Sequence, residues 1–172
     1  QPPVEVYPSL FVTGLPRSGT TLLYQVLAYG LQVGFVDNVA ARFGKYPLAG
    51  IVLSESLRRG SLTPNFASIY GKSVDPFGPH EFAYFWQEQL RMTSLEAQSR
   101  YPGDSSEIDW PSLREEIGGM QTHQRKPFVF KSLFVGNLIE DFSKEIDQPI
   151  FIHISRDPLD VALSILQARR AY

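Results

Sequence analysis

The stretch Ser9 to Gly30, SLFVTGLPRSGTTLLYQVLAYG, constrains the fold more than any other. Leu10 to Thr13 are apolar or β-branched and too few for anything but a short buried strand. Gly14-Leu15-Pro16-Arg17-Ser18-Gly19-Thr20-Thr21 follows, and then Leu22, Leu23, Val26 and Leu27 recur at helical spacing. Strand, glycine-bearing loop and helix in this order build an anion site. The first backbone N–H groups of a helix have no carbonyl partner within it, and the helix dipole favours negative charge at that end. Gly14 and Gly19 let the chain turn and let a ligand approach the backbone.

The spacing is that of the nucleotide phosphate loop, G-x-x-x-x-G-K-[ST], with Thr20 where the lysine belongs. A nucleotide triphosphatase needs that lysine on the β- and γ-phosphates and holds a metal with the next hydroxyl. The cradle is kept here, but the cation comes earlier, as Arg17.

A second stretch, Pro149 to Ala171, reads PIFIHISRDPLDVALSILQARRA. Ile150 to Ser155 are strand-like, Pro158 opens a helix, and Ala162, Ile165 and Leu166 form its expected inward side. Arg156 at the strand tip offers a planar fork to a phosphate. Ser164, two turns into the helix, can reach the same group.

Both stretches carry a resemblance. GLPRSGTTLL resembles the 5′-phosphosulfate loop of sulfotransferases that use 3′-phosphoadenosine 5′-phosphosulfate, whose pattern P-[KR]-S-G-T-[TS] is matched by Pro16 to Thr21. Arg156 and Ser164 have the spacing of that family's 3′-phosphate element. The resemblance implies transfer of a sulfuryl group from that donor to a hydroxyl or amine of an acceptor such as a carbohydrate, lipid or small molecule. Adenosine 3′,5′-bisphosphate is then the product, and no metal is required. The implied donor-binding set is Pro16, Arg17, Ser18, Gly19, Thr20, Thr21 and Leu22, with Arg156 and Ser164. Arg17 would hold the bridging oxygen and the sulfonate. The N–H groups of Ser18 to Thr21, with the two threonine hydroxyls, would hold the 5′-phosphate. Whole enzymes of this family run well beyond the 3′-phosphate element, so residues 1–172 read as one sulfotransferase-like domain with its C-terminal part missing.

Composition narrows the partners. A chain of 172 residues is long enough for a sizeable core, and 43% hydrophobic residues is ordinary for a globular domain. A net charge of −2 gives no case for nucleic-acid binding. With no cysteine, disulfides and thiolate metal sites are excluded. No apolar run reaches the roughly 18 residues of a membrane span, and no basic-then-apolar leader opens the chain, so a cytoplasmic location is the expectation.

Periodicity supplies the remaining elements. Four strands are expected, at residues 10–13, roughly 31–36, 128–131 and 150–155. Helices are expected over 47–59, with Leu48, Ile51, Val52, Ser56 and Leu57 on one side, over 80–91, over 110–121 behind the cap Asp109, and over 135–144. The stripe Phe82, Phe85 and Trp86 reads as core before substrate platform. Residues 61–79 read as a long loop, a lid or a binding loop. Strands alternating with helices predict a three-layer α/β/α domain of the P-loop NTPase-like type. Its sheet is mainly parallel, with ligands at the carboxyl ends of the strands. That edge would gather residues 14–21, 37–42, 131–132 and Arg156.

Lys131 ends the third strand, where the resembled family often has a lysine near the transferred group; a solvated strand-end lysine is the plainer account. Cytosolic members place a histidine base two residues on. Leu133 stands there, which puts the histidine version of the mechanism in doubt. The base is then a carboxylate. Asp37, after the second strand and beside Asn38 and Arg42, is slightly favoured because members acting on tyrosines or sugars use a carboxylate there. Glu81, at the start of the aromatic helix, is the rival, and His80 stands third. Plainer accounts make Asp37 a turn residue, Glu81 a helix cap, Arg156 the partner of Asp157 or Asp160, and Ser164 a small residue on a crowded face. Two other classes stay open, a Mg²⁺-dependent P-loop kinase or NTPase and a non-catalytic nucleotide-binding domain.

Overall fold

The computed structural model describes residues 6–60, 62, 64–69, 72–92 and 105–170. The first strand, β1 (Ser9–Gly14), is buried except at its last residue. It pairs in parallel with β4 (Phe128–Lys131) on one side and β5 (Pro149–Ile154) on the other, giving the order β4-β1-β5. Successive side chains of a strand face opposite ways, so a central strand buried on both faces must be apolar on both. Phe11 points to one face and stacks on Phe130 and Phe151, with ring centroids 5.7 Å apart in each pair. Trp86 and Phe142 meet it edge-on at 6.0 and 5.2 Å. Leu10 and Val12 point to the other face, into a second core with Tyr24, Ala28, Val33 and Val129.

Helices therefore cover both faces of a parallel sheet. Helix α1 (Thr20–Gly30) supplies Tyr24 and Ala28 to one core. Helices α3 (Ala83–Gln89), α4 (Trp110–Gln124) and α5 (Ile139–Glu145) supply Trp86, Leu113 and Phe142 to the other. Phe82, Phe85, Trp86 and Leu90 are all buried, which makes that stripe core. Asp109 caps α4, its Oδ1 accepting the Ser112 N–H, and Gly118 and Gly119 do not end the helix. A 3₁₀ turn over Phe134–Asn137 precedes α5, so the expected helix over 135–144 is broken in two. A two-stranded hairpin, β2 (Ser68–Ile69) and β3 (Lys72–Ser73), interrupts the expected loop over 61–79. Residues 61, 63, 70 and 71 of that loop, and residues 93–104, lie outside the described residues.

The expected strand at 31–36 shrinks to one bridge, Gly34 with Phe128. The Gly34 N–H donates to Pro127 and its carbonyl accepts from Val129; past that point the chain leaves the sheet edge. Its next partners are Pro79 and His80: Asp37 bridges Pro79, and the Val36 carbonyl accepts the His80 N–H. Competition for those backbone groups ends the strand.

Helix faces also differ from the apolar spacing. Helix α2 (Pro47–Leu57) buries Pro47, Gly50, Ile51 and Ser54, while Leu48, Val52 and Leu57 face solvent. Leu22 and Val26 of α1 are exposed too. On α6 (Pro158–Arg170) only Val161 is buried, and Ala162 and Leu166 are exposed. Close approach decides α2. A Cβ at Gly50 would lie 2.4 Å from the carbonyl oxygen of Ala40, in the 3₁₀ turn Ala40–Phe43. Backbone cannot yield as a side chain can, so Gly50→Ala is expected to destabilise by about 1–3 kcal/mol, read as a lower urea midpoint at unchanged m. An unchanged midpoint would show that the packing of α2 on this turn is loose.

Candidate functional site

The loop between β1 and α1 is shaped by its backbone. Gly14 has φ +147°, and a Cβ there would sit 2.5 Å from the Ile154 carbonyl oxygen. Arg17 has φ +68°, a left-handed conformation that a side chain with Cβ disfavours. The loop closes on itself through Ser18, whose Oγ and N–H both donate to the Leu15 carbonyl, at 2.7 and 3.2 Å. Ser18 is buried and its N–H is engaged within the turn. The first intrahelical bond runs from Leu23 N–H to Gly19, and no side chain caps the helix start. The amides ahead of Leu23 face the loop.

A cavity of about 420 Å³ opens at this helix start. It is lined by Pro16, Arg17, Gly19, Thr20, Thr21, Leu22, Glu81, Lys131, Leu133, Arg156 and Ser164. Two stretches far apart in the chain thus meet. Arg17 Nε donates to Ser164 Oγ at 3.1 Å, and an Arg156 NH donates to the Arg17 carbonyl at 3.5 Å. Arg156 also lies 3.5 Å from Asp160 one turn on, an exposed contact that holds it loosely.

From β4, Lys131 enters the same cavity. It is 5% exposed, not a solvated strand end. Its Nζ donates to Thr21 Oγ1 at 2.9 Å and to Glu81 Oε2 at 2.8 Å. The charge missing from position 20 therefore reaches the loop from another strand. The Glu81 side chain is 32% exposed, so its carboxylate is open to the cavity as well as paired. Leu133 lines the wall where a histidine was considered.

Asp37 does not line this cavity. It is 6% exposed, and its carboxylate accepts the Ala40 N–H at 2.8 Å and the Ser54 hydroxyl. Those bonds tie the 3₁₀ turn to α2. The cause is the lost strand: with no sheet pairing after Gly34, Asp37 turns toward α2. His80 lines a neighbouring cavity. Its Nδ1 accepts the Phe82 N–H at 2.9 Å, which leaves the ring proton on Nε2.

Tyr24 escaped the sequence reading. Its hydroxyl donates to the His80 carbonyl at 3.2 Å and so holds the residue before Glu81. Burial, then the Asp37 and Glu81 carboxylates, push its pKa far up, so it remains a neutral donor. Its place one turn beyond Thr20 was the available signal, since that spacing points both residues at the same end of the sheet. Among the described residues no group of three or more His, Asp or Glu side chains gathers to hold a metal, and no helix is long and apolar enough to cross a membrane.

The sequence model of the Sulfotransferase family matches residues 8–171. No curated protein matches the chain in sequence. Among solved structures, the sulfotransferase STF9 from Mycobacterium avium superposes with a TM-score of 0.46 at 18% identity. The alignment covers 98% of this chain and 47% of that one, so the chain spans about half the length of that relative.

Proposed function

The chain belongs to the sulfotransferase family, and from that premise we propose that it transfers a sulfuryl group from 3′-phosphoadenosine 5′-phosphosulfate to an acceptor hydroxyl or amine. The carrying observation is the position of Lys131, whose Nζ bonds both Thr21 of the loop and Glu81. Cradle, cation and carboxylate thereby meet at one point.

The fit to such a donor rests on the side chains present. Arg17, Lys131 and Arg156 bring three cations to a cavity whose helix start lacks a protein cap. Glu81 is the single carboxylate in its lining among the described residues. When bound, the nucleotide supplies the sulfuryl group and leaves as the 3′,5′-bisphosphate. The amides of Gly19 to Leu22 and the Thr20 and Thr21 hydroxyls hold the 5′-phosphate. Arg17 and Lys131 stabilise negative charge on the leaving oxygen. Arg156 and Ser164 hold the 3′-phosphate. Glu81 takes the acceptor's proton, helped by Lys131, which holds the carboxylate toward the loop. We favour Glu81 over Asp37 because Asp37's oxygens are engaged with Ala40 and Ser54.

Calorimetry with adenosine 3′,5′-bisphosphate and AMP tests the donor, with ADP plus Mg²⁺ as the contrast for a kinase. Losing a charge-assisted phosphate contact costs about 1.5–3 kcal/mol. The bisphosphate is expected to bind without metal, about ten- to a hundredfold more tightly than AMP. Equal affinity for the two nucleotides, or preference for ADP with Mg²⁺, would overturn the reading.

A further inference from the structure

A second cavity, of about 450 Å³, is lined by His80, the residue before Glu81. His80 lines this one, whereas Glu81 lines the loop's. The two spaces thus meet the chain at adjacent residues. We infer that this second cavity is the acceptor subsite, and that it takes an acceptor with a flat ring face and one anionic group. The inference rests on the sulfuryl-transfer reading above and names the substrate class for that site.

Three observations carry it. First, the wall is built before any ligand arrives. Asn38 Nδ2 donates to the Ser73 carbonyl, the Ser73 hydroxyl and the Asp75 carbonyl, at 3.2, 2.8 and 2.6 Å. The Ser73 hydroxyl in turn donates to the Pro79 carbonyl at 2.8 Å, so the loop leading to His80 is pinned. Second, Arg42 is the only formally charged residue among the described residues of the lining. Its backbone N–H is bonded to Val39, but no hydrogen bond or ion pair engages its guanidinium among the described residues, so it can take an anion without giving up a partner. Asp75, whose carbonyl Asn38 holds, spends Oδ1 on the Phe77 N–H and does not line the cavity. Third, Tyr84 is 77% exposed, yet it stands on the same cavity three residues after Glu81. An exposed aromatic ring with no ring neighbour among the described residues is a platform for a flat ligand face.

The two halves make separate demands on the ligand, so two related probes distinguish them. 4-Nitrophenyl β-D-glucuronide and 4-nitrophenyl β-D-glucoside share ring and aglycone and differ in one carboxylate. Their binding is measured by saturation-transfer NMR with and without adenosine 3′,5′-bisphosphate. The glucuronide is expected to bind roughly fivefold or more tightly. Arg42→Ala should abolish that preference and Arg42→Lys should restore part of it. Tyr84→Ala should weaken both probes alike. Neither change should alter bisphosphate binding, and both positions are exposed enough to leave the fold intact. Equal binding of the two probes to the unmodified protein, no binding of either, or a preference that survives Arg42→Ala overturns the inference. Failure of the bisphosphate to bind would overturn the donor reading instead, and the nucleotide-free arm would still decide the groove.

Discussion

Glu81→Gln is expected to lower turnover about a hundredfold or more while binding of adenosine 3′,5′-bisphosphate is retained. The substitution is nearly isosteric. Its amide carbonyl can still accept from Lys131, so the 2.8 Å contact that holds the cavity together has a replacement. What is lost is the capacity to take a proton. Asp37→Asn is the informative contrast. Asp37 is a buried carboxylate bonded to a backbone amide and a hydroxyl, so the change should appear as a lower Tm, with turnover per folded molecule kept. Steady-state kinetics on both variants, with calorimetry for the bisphosphate, separates the two roles. If Asp37→Asn loses turnover at unchanged stability and Glu81→Gln does not, the base is Asp37. If neither loses turnover, His80 is the next group to substitute.

Arg17→Ala is expected to cost on the order of 10²- to 10³-fold in kcat, with a smaller rise in the apparent donor KM. A guanidinium at the loop apex matters most as charge grows on the leaving oxygen, so its effect should concentrate in the transition state. Arg17→Lys should keep part of the activity, since the resembled family tolerates either cation. Arg17→Gly adds a structural control. Arg17 sits at φ +68°, where glycine is at ease, so this variant should be no less stable than Arg17→Ala and just as inactive. Near-normal kcat in Arg17→Ala would remove the charge role assigned to this residue.

The site was more legible than the packing around it, for identifiable reasons. A glycine loop between a short apolar strand and a helix has few alternatives, so the strand, the loop over residues 14–21 and the helix are legible directly. Arg156 and Ser164 were readable by spacing, and the structure brings both to Arg17. Helix faces were harder. The spacing of large apolar residues pointed to Leu48, Val52 and Leu57 on α2, but the buried face is set by a missing side chain at Gly50 and a bonded hydroxyl at Ser54. Neither registers as hydrophobic. The same holds for α1, where Gln25 is buried and Val26 is not. Asp37 was favoured by a topological rule that presumes a strand before it. That strand exists only as the Gly34 bridge, so the rule had nothing to act on. Glu81 hung on the path of a long loop, and what fixes that path is the Asn38 side chain bonding residues 73 and 75.

The strand order carries a consequence for how the protein is made. The central strand leaves the ribosome well before both of its sheet neighbours, which lie more than 100 residues later, at 128–131 and 149–154. At the usual elongation rate of roughly 5–20 residues per second, β1 waits for seconds to tens of seconds with its edges unpaired. Its aliphatic residues can be sheltered meanwhile by α1 on one face, while Phe11 on the other waits for Phe130 and Phe151. Refolding should accordingly be slow, because the rewarding contacts close long loops. An amyloid-type edge is the hazard of that interval, and Pro8, just ahead of β1, lacks the N–H that would let such pairing spread toward the chain start.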